Sequence, residues 1–126
     1  MYGPSVRGQH GCAVWVSKRR PFGHLGKKPI LVKASDICVV LANDRALGVS
    51  IYNRHLGITF FSLHAPHSGH NVEVRRRWWE DTSEVLALYP EALLAIDANA
   101  TVGSVCSEAI GAFGSEAENS NGALFR

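Results

Sequence analysis

Two short stretches carry side chains that can act together on a phosphate ester. His64-Ala65-Pro66-His67 sets two imidazoles around a proline, and Asp97-Ala98-Asn99 sets a carboxylate and an amide two residues apart. Alternate residues of an extended segment point the same way, so Asp97 and Asn99 share a face. If the stretches converge, the carboxylate can position water and polar donors can hold phosphate oxygens, while a divalent metal offsets charge in the transition state. A metal-free acid–base site is a second option, because histidine titrates near neutral pH. Asp and Asn also dominate ordinary turns, and His67 equally fits an exposed loop, so these short patterns alone leave a structural role open.

The flanking elements decide whether the stretches meet. Leu93-Leu94-Ala95-Ile96 leads into Asp97 and reads as a buried strand, and Ile58–Leu63 leads into His64 in the same way. From about Val72 to Leu88 the pattern is helical. Asn71 is placed to cap it, Val74, Trp78, Val85 and Leu86 form an apolar side, and Arg75, Arg76, Glu80, Asp81 and Glu84 form the side facing water. Tyr89-Pro90 ends the helix. A right-handed strand–helix–strand crossover would bring both loops to one edge of a sheet, where α/β proteins bind ligands.

Upstream, Gly11–Val16 reads as a strand and residues 17–29, rich in Pro, Gly and basic side chains, as a loop. Further strands are expected at Ile30–Lys33, Ile37–Ala42, Ala46–Tyr52 and Ile58–Leu63. Their close spacing predicts antiparallel hairpins and a meander. Everything after Asn99 reads as loop.

Composition narrows the classes. With 126 residues, 46% hydrophobic and 19% charged, the chain fits at most one globular domain. A net charge of +2 gives no global signature of a polyanion binder. Local basic clusters nevertheless stand at Lys18-Arg19-Arg20, Lys27-Lys28 and Arg75-Arg76-Arg77. Cys12, Cys38 and Cys106 are odd in number and far apart, which argues against a disulfide framework or a zinc spacing. The N-terminus lacks the apolar core of a signal peptide, and no apolar run approaches a membrane span. The expected setting is intracellular, with the nucleus as one option, and away from membranes.

In order, the chain has a strand ending in His-Ala-Pro-His, a helix with Arg76-Arg77-Trp78-Trp79 and a strand Ala95-Ile96-Asp97-Ala98-Asn99. The tail then runs Val102-Gly103, Ile110-Gly111, Gly114, Glu118-Asn119-Ser120-Asn121-Gly122 and Leu124-Phe125. From about Gly8 to Arg126 this succession resembles the endonuclease/exonuclease/phosphatase superfamily. It is most similar to the retrotransposon-type and craniofacial-development-protein-like endonucleases, with D-x-N-A-x-V-G and its tail as the most specific part.

The resemblance implies a four-layered α/β sandwich (DNase I-like), with mostly antiparallel strands and a crossover helix over 72–88. It also implies a phosphodiesterase using Mg²⁺ or Mn²⁺. Asp97 would orient or activate the attacking water, and Asn99 would bind the scissile phosphate. His64 falls where related nucleases carry Tyr, and can still donate to phosphate. His67 and Asn121 would contact substrate. The likeness places the family's metal-binding Glu before Met1 and its Ser-Asp-His segment after Arg126, so 1–126 is expected to be a partial domain, inactive by itself and without a metal ligand set of its own. DNA is the expected substrate, and a fused reverse transcriptase a possible neighbour in the same protein. A phospholipid or small phosphoester substrate, or an inactive truncated remnant, are the alternatives.

Overall fold

Asn- and Gly-containing turns punctuate runs of β-branched and aromatic residues, and strands form in those runs. The structure, a computed structural model, describes residues 11–101 and 117–125. Val102-Gly103, Ile110, Gly111 and Gly114 of the motif, together with Cys106, lie outside them. The architecture is mixed α/β.

Strands β1 (Gly23–Leu25) and β2 (Lys28–Ile30) pair as an antiparallel hairpin. The tract expected to be loop therefore holds two short strands. Gly26 supplies the left-handed turn with φ 61°, and Pro29 is tolerated because a two-stranded ribbon has only edge strands. Of the expected strand Ile30–Lys33 only Ile30 is in a strand, at the end of β2, and a single 3-10 turn follows at Ala34–Asp36. Gly11–Val16 is not a strand either; it forms an isolated bridge at Val14.

The larger sheet matches its expected meander closely. Strands β3 (Ile37–Ala42), β4 (Ala46–Asn53) and β5 (Leu56–His64) are successively antiparallel, and β6 (Leu93–Asp97) lies beside β5, giving the order β3-β4-β5-β6. The Asn43 side chain accepts the Arg45 N–H at the first turn, and the Asn53 side chain accepts the His55 N–H at the second. Strand β4 is covered on both faces: Ala46, Leu47, Gly48 and Val49 are all buried. Leu47, Val49 and Ile51 pack with Cys12 and Val32 on one side. On the other, Phe61 sits opposite Gly48, and a side chain at Gly48 would run into its ring.

Helix α1 (Val72–Ala87) starts where expected, with Asn71 accepting the Glu73 N–H at 2.8 Å. Its inward face differs from the expected one. Arg75 and Thr82 are buried and Trp78, Trp79, Val85 and Leu86 half-buried, whereas Val74 is 53% exposed. The spacing 75-78-79-82-85-86 still follows one helical stripe, and an arginine belongs to it. A second helix, α2 (Ser120–Phe125), stands in the tail expected to be loop. Strand β6 is less buried than its composition suggests, with Leu93 and Leu94 both exposed, as fits a strand at the end of the sheet order. Among the described residues, no helix is long and apolar enough to cross a membrane.

The chain forms two compact units. One comprises the described residues of Met1–Leu63 with Tyr89–Ala95, and the other those of His64–Leu88 with Ile96–Arg126. All the candidate site residues fall in the second.

Candidate active site

The site starts where two strands stop. The Ala65 N–H donates to the Asp97 carbonyl at 2.8 Å, which aligns the end of β5 with the end of β6. Ala65 and Pro66 are buried, so His64 projects from an anchored base. Its Nε2 lies 3.9 Å from Asp97 Oδ2, with the imidazole about one-third exposed and the carboxylate about two-thirds. Asp97 Oδ1 accepts the Asn99 N–H at 3.0 Å, which fixes the carboxylate's rotation and leaves Oδ2 on the His64 side. The imidazole and carboxylate expected to converge are therefore adjacent and open to solvent.

Asn99 holds the turn after β6. Its φ of 46° lies in the left-handed region, which Asn adopts more readily than most residues. The Asn99 side chain does not simply extend into the cleft. Its Nδ2 donates to the Ala65 carbonyl at 2.7 Å, which ties the loop after β6 to the loop after β5 and leaves Oδ1 and one amide hydrogen for other contacts.

Behind this turn lies a buried amide network. The Asn99 carbonyl accepts from Asn121 Nδ2 at 3.1 Å and from Asn119 Nδ2 at 3.3 Å. Asn121 Nδ2 also donates to the Pro66 carbonyl at 2.9 Å, and its Oδ1 accepts from Arg75 Nη1 at 2.7 Å. Asn121 is wholly buried. Both its amide hydrogens go to protein carbonyls, of Pro66 and of Asn99, so in this structure the side chain ties the two loops to each other. Asn119 caps α2, with its Oδ1 accepting the N–H groups of Asn121 and Gly122.

His67 is exposed on the loop after β5. Its Nδ1 accepts the Gly69 N–H at 3.1 Å, and its ring lies against His70 with centroids 4.5 Å apart. The bond to Gly69 leaves Nε2 as the ring's donor in the neutral form.

Sequence reasoning misses Arg75 and Asn119. The pattern of charges puts Arg75 on the water side with its neighbours, although the stripe through Trp78, Trp79 and Thr82 passes through it. Asn119 carries a legible signal, an N-cap residue ahead of Leu124-Phe125. Of the basic cluster at 75–77, Arg75 points inward, Arg76 pairs with Glu73 at 3.3 Å and Arg77 lies 3.9 Å from Asp81. Lys18, Arg19, Arg20, Lys27 and Lys28 are exposed.

Among the described residues, no three His, Cys, Asp or Glu side chains gather as a metal site. Mg²⁺ is commonly held through one or two carboxylates, with water and phosphate oxygens completing its shell. The exposed Asp97 Oδ2 fits as one such ligand, and the Asn99 side-chain oxygen is of the right chemical kind. No family model, curated protein or solved structure matches the chain.

Proposed function

We propose that this chain takes part in metal-dependent hydrolysis of DNA phosphodiester bonds, as part of an endonuclease/exonuclease/phosphatase-type domain with a DNase I-like sandwich. The observation that carries this reading is the 3.9 Å approach of His64 Nε2 to Asp97 Oδ2 at the ends of neighbouring strands, both open to solvent and buttressed from behind.

In this reading Asp97 Oδ2 orients the attacking water and draws on its proton, while the Asn99 N–H holds the carboxylate in place. His64 donates to a phosphate oxygen, and the second Nδ2 hydrogen of Asn99 is available for another. A donor aimed at developing charge contributes on the order of 10²–10³ in rate. Mg²⁺ or Mn²⁺, when bound at Asp97, would supply neutralisation of the phosphate's charge. DNA as the substrate, over a small phosphomonoester, follows the resemblance carried by Asp97-Ala98-Asn99 and the tail after it.

The experiment incubates the full-length protein that carries these residues with supercoiled plasmid, a phosphoinositide and a phosphomonoester, each with Mg²⁺ and with EDTA. Mg²⁺-dependent nicking of the plasmid supports the proposal. Turnover of the lipid or the monoester alone assigns the site to another phosphoester, and no turnover of any substrate overturns the proposal.

A further inference from the structure

Arg75 is the only buried side chain of fixed charge among the described residues, at 6% exposure. Its Nη1 donates to Ser120 Oγ and to Asn121 Oδ1, each at 2.7 Å, and its Nε donates to the His70 carbonyl at 3.3 Å. All three acceptors are neutral, and among the described residues no carboxylate forms an ion pair with it. Burying an ionised group against neutral acceptors, the only partners it has among the described residues, is an expensive way to fill space.

What the guanidinium does accomplish is to orient an amide. Asn121 can be turned two ways about its terminal bond, and a guanidinium has donors only. Facing Arg75, Asn121 must present its oxygen, which sends Nδ2 the other way, onto the carbonyls of Pro66 and Asn99. Those carbonyls belong to the loops that follow His64 and Asp97. One amide thus clamps both strand ends, and Asn99 is held in its left-handed conformation by the same contact.

We propose that Arg75 is a positioning residue: by fixing the orientation of the Asn121 amide it sets the spacing of His64 and Asp97. Its effect on turnover rests on the phosphodiesterase reading above, while its effect on the Asn99 turn does not.

The test compares the full-length wild-type protein that carries these residues with its Arg75→Met, Asn121→Leu and double variants. Plasmid nicking gives kcat and KM, and NMR gives exchange rates for the Asn99 and Val49 backbone amides. Arg75→Met is expected to lower kcat by about 10- to 100-fold with KM changed less than about threefold, and the double variant to lose no more than the worse single. The Asn99 amide, which donates to Asp97, should exchange at least about tenfold faster, while Val49 in the other unit keeps its protection. A raised KM at unchanged kcat, or losses that multiply in the double variant, would assign Arg75 to direct substrate contact and overturn the proposal. Unchanged exchange at Asn99 overturns it too. If the wild-type protein cleaves nothing, the phosphodiesterase reading fails and the exchange data alone decide the role of Arg75. If Arg75→Met does not fold, Arg75→Gln, whose amide can donate or accept and so no longer dictates which way Asn121 faces, is read with the same outcomes.

Discussion

Asn99 Nδ2 donates to the Ala65 carbonyl at 2.7 Å, so a residue expected to reach for substrate also staples the two loops of the site to each other. Two substitutions separate its duties. Asn99→Gly removes the staple but keeps the backbone free to adopt φ 46°, whereas Asn99→Ala also forces an ordinary side chain into the left-handed region. The lost hydrogen bond costs about 1 kcal/mol in both, and the strain adds about 1–2 kcal/mol in Asn99→Ala. Chemical denaturation should therefore rank wild type above Asn99→Gly and Asn99→Gly above Asn99→Ala. Equal stability of the two variants would show that the left-handed backbone at this position carries no cost.

The meander from Ile37 to His64, helix α1 and the strand into Asp97 are all legible in the sequence, because each has a turn or cap residue at its boundary and a clear period within it. The adjacency of His64 and Asp97 follows from that order. What the sequence leaves illegible has physical causes. Arg75 reads as solvated because charge usually is, and its bonds to Ser120 and Asn121, 45 and 46 positions away, and to the His70 carbonyl make burial tolerable. Asn121 reads by analogy as a substrate contact, yet nothing local to it reveals that Pro66 and Asn99 take both its hydrogens. Gly11–Val16 has the composition of a strand, but residues that pack as a core edge need no ladder.

The tail after Asn119 depends on a close backbone approach. A methyl group at Gly122 would overlap the Thr101 carbonyl oxygen, a backbone atom with little room to move, and it would also crowd Glu118. Gly122→Ala should destabilise the unit by roughly 1–3 kcal/mol, the usual range for overpacking. Gly11, where the same methyl meets nothing, is the control. A denaturation midpoint for Gly122→Ala equal to that of Gly11→Ala would contradict this packing.

The two described cysteines should differ in reactivity. Cys12 is buried and its thiol is pushed above the usual range, chiefly by burial, with the Ser62 hydrogen bond acting in the opposite direction. Cys38 is exposed. Alkylation at pH 8 should label Cys38 quickly and Cys12 only on unfolding. Because the folded-state value is raised, the contribution of Cys12 is complete below the unfolded thiol's value and is lost as pH rises through the folded one. Cys12→Ala should flatten the fall in stability on the alkaline side, as measured by denaturation at several pH values.

Lys27 and Lys28, at the turn and start of β2, are exposed and next to Gly26. If they meet phosphates, Lys27→Glu with Lys28→Glu weakens DNA binding for all sequences alike. With fewer phosphates neutralised, the plot of log affinity against log salt also becomes shallower, by about 1 for each phosphate. An unchanged slope would exclude the hairpin from the DNA surface. The same measurement on Arg76→Gln should show little change, since that guanidinium is paired with Glu73.

The proposed action of Asp97 with His64 on a phosphodiester is tested most directly by single-turnover nicking of supercoiled plasmid in Mg²⁺. The full-length protein that carries these residues is compared with its Asp97→Asn variant, which keeps the side chain's shape and leaves an oxygen able to accept the Asn99 N–H. The expected result is Mg²⁺-dependent nicking by the wild type, and a loss of at least about 10²-fold in Asp97→Asn with an unchanged thermal midpoint. Nicking by Asp97→Asn at the wild-type rate would contradict the assignment of Asp97 to the chemistry.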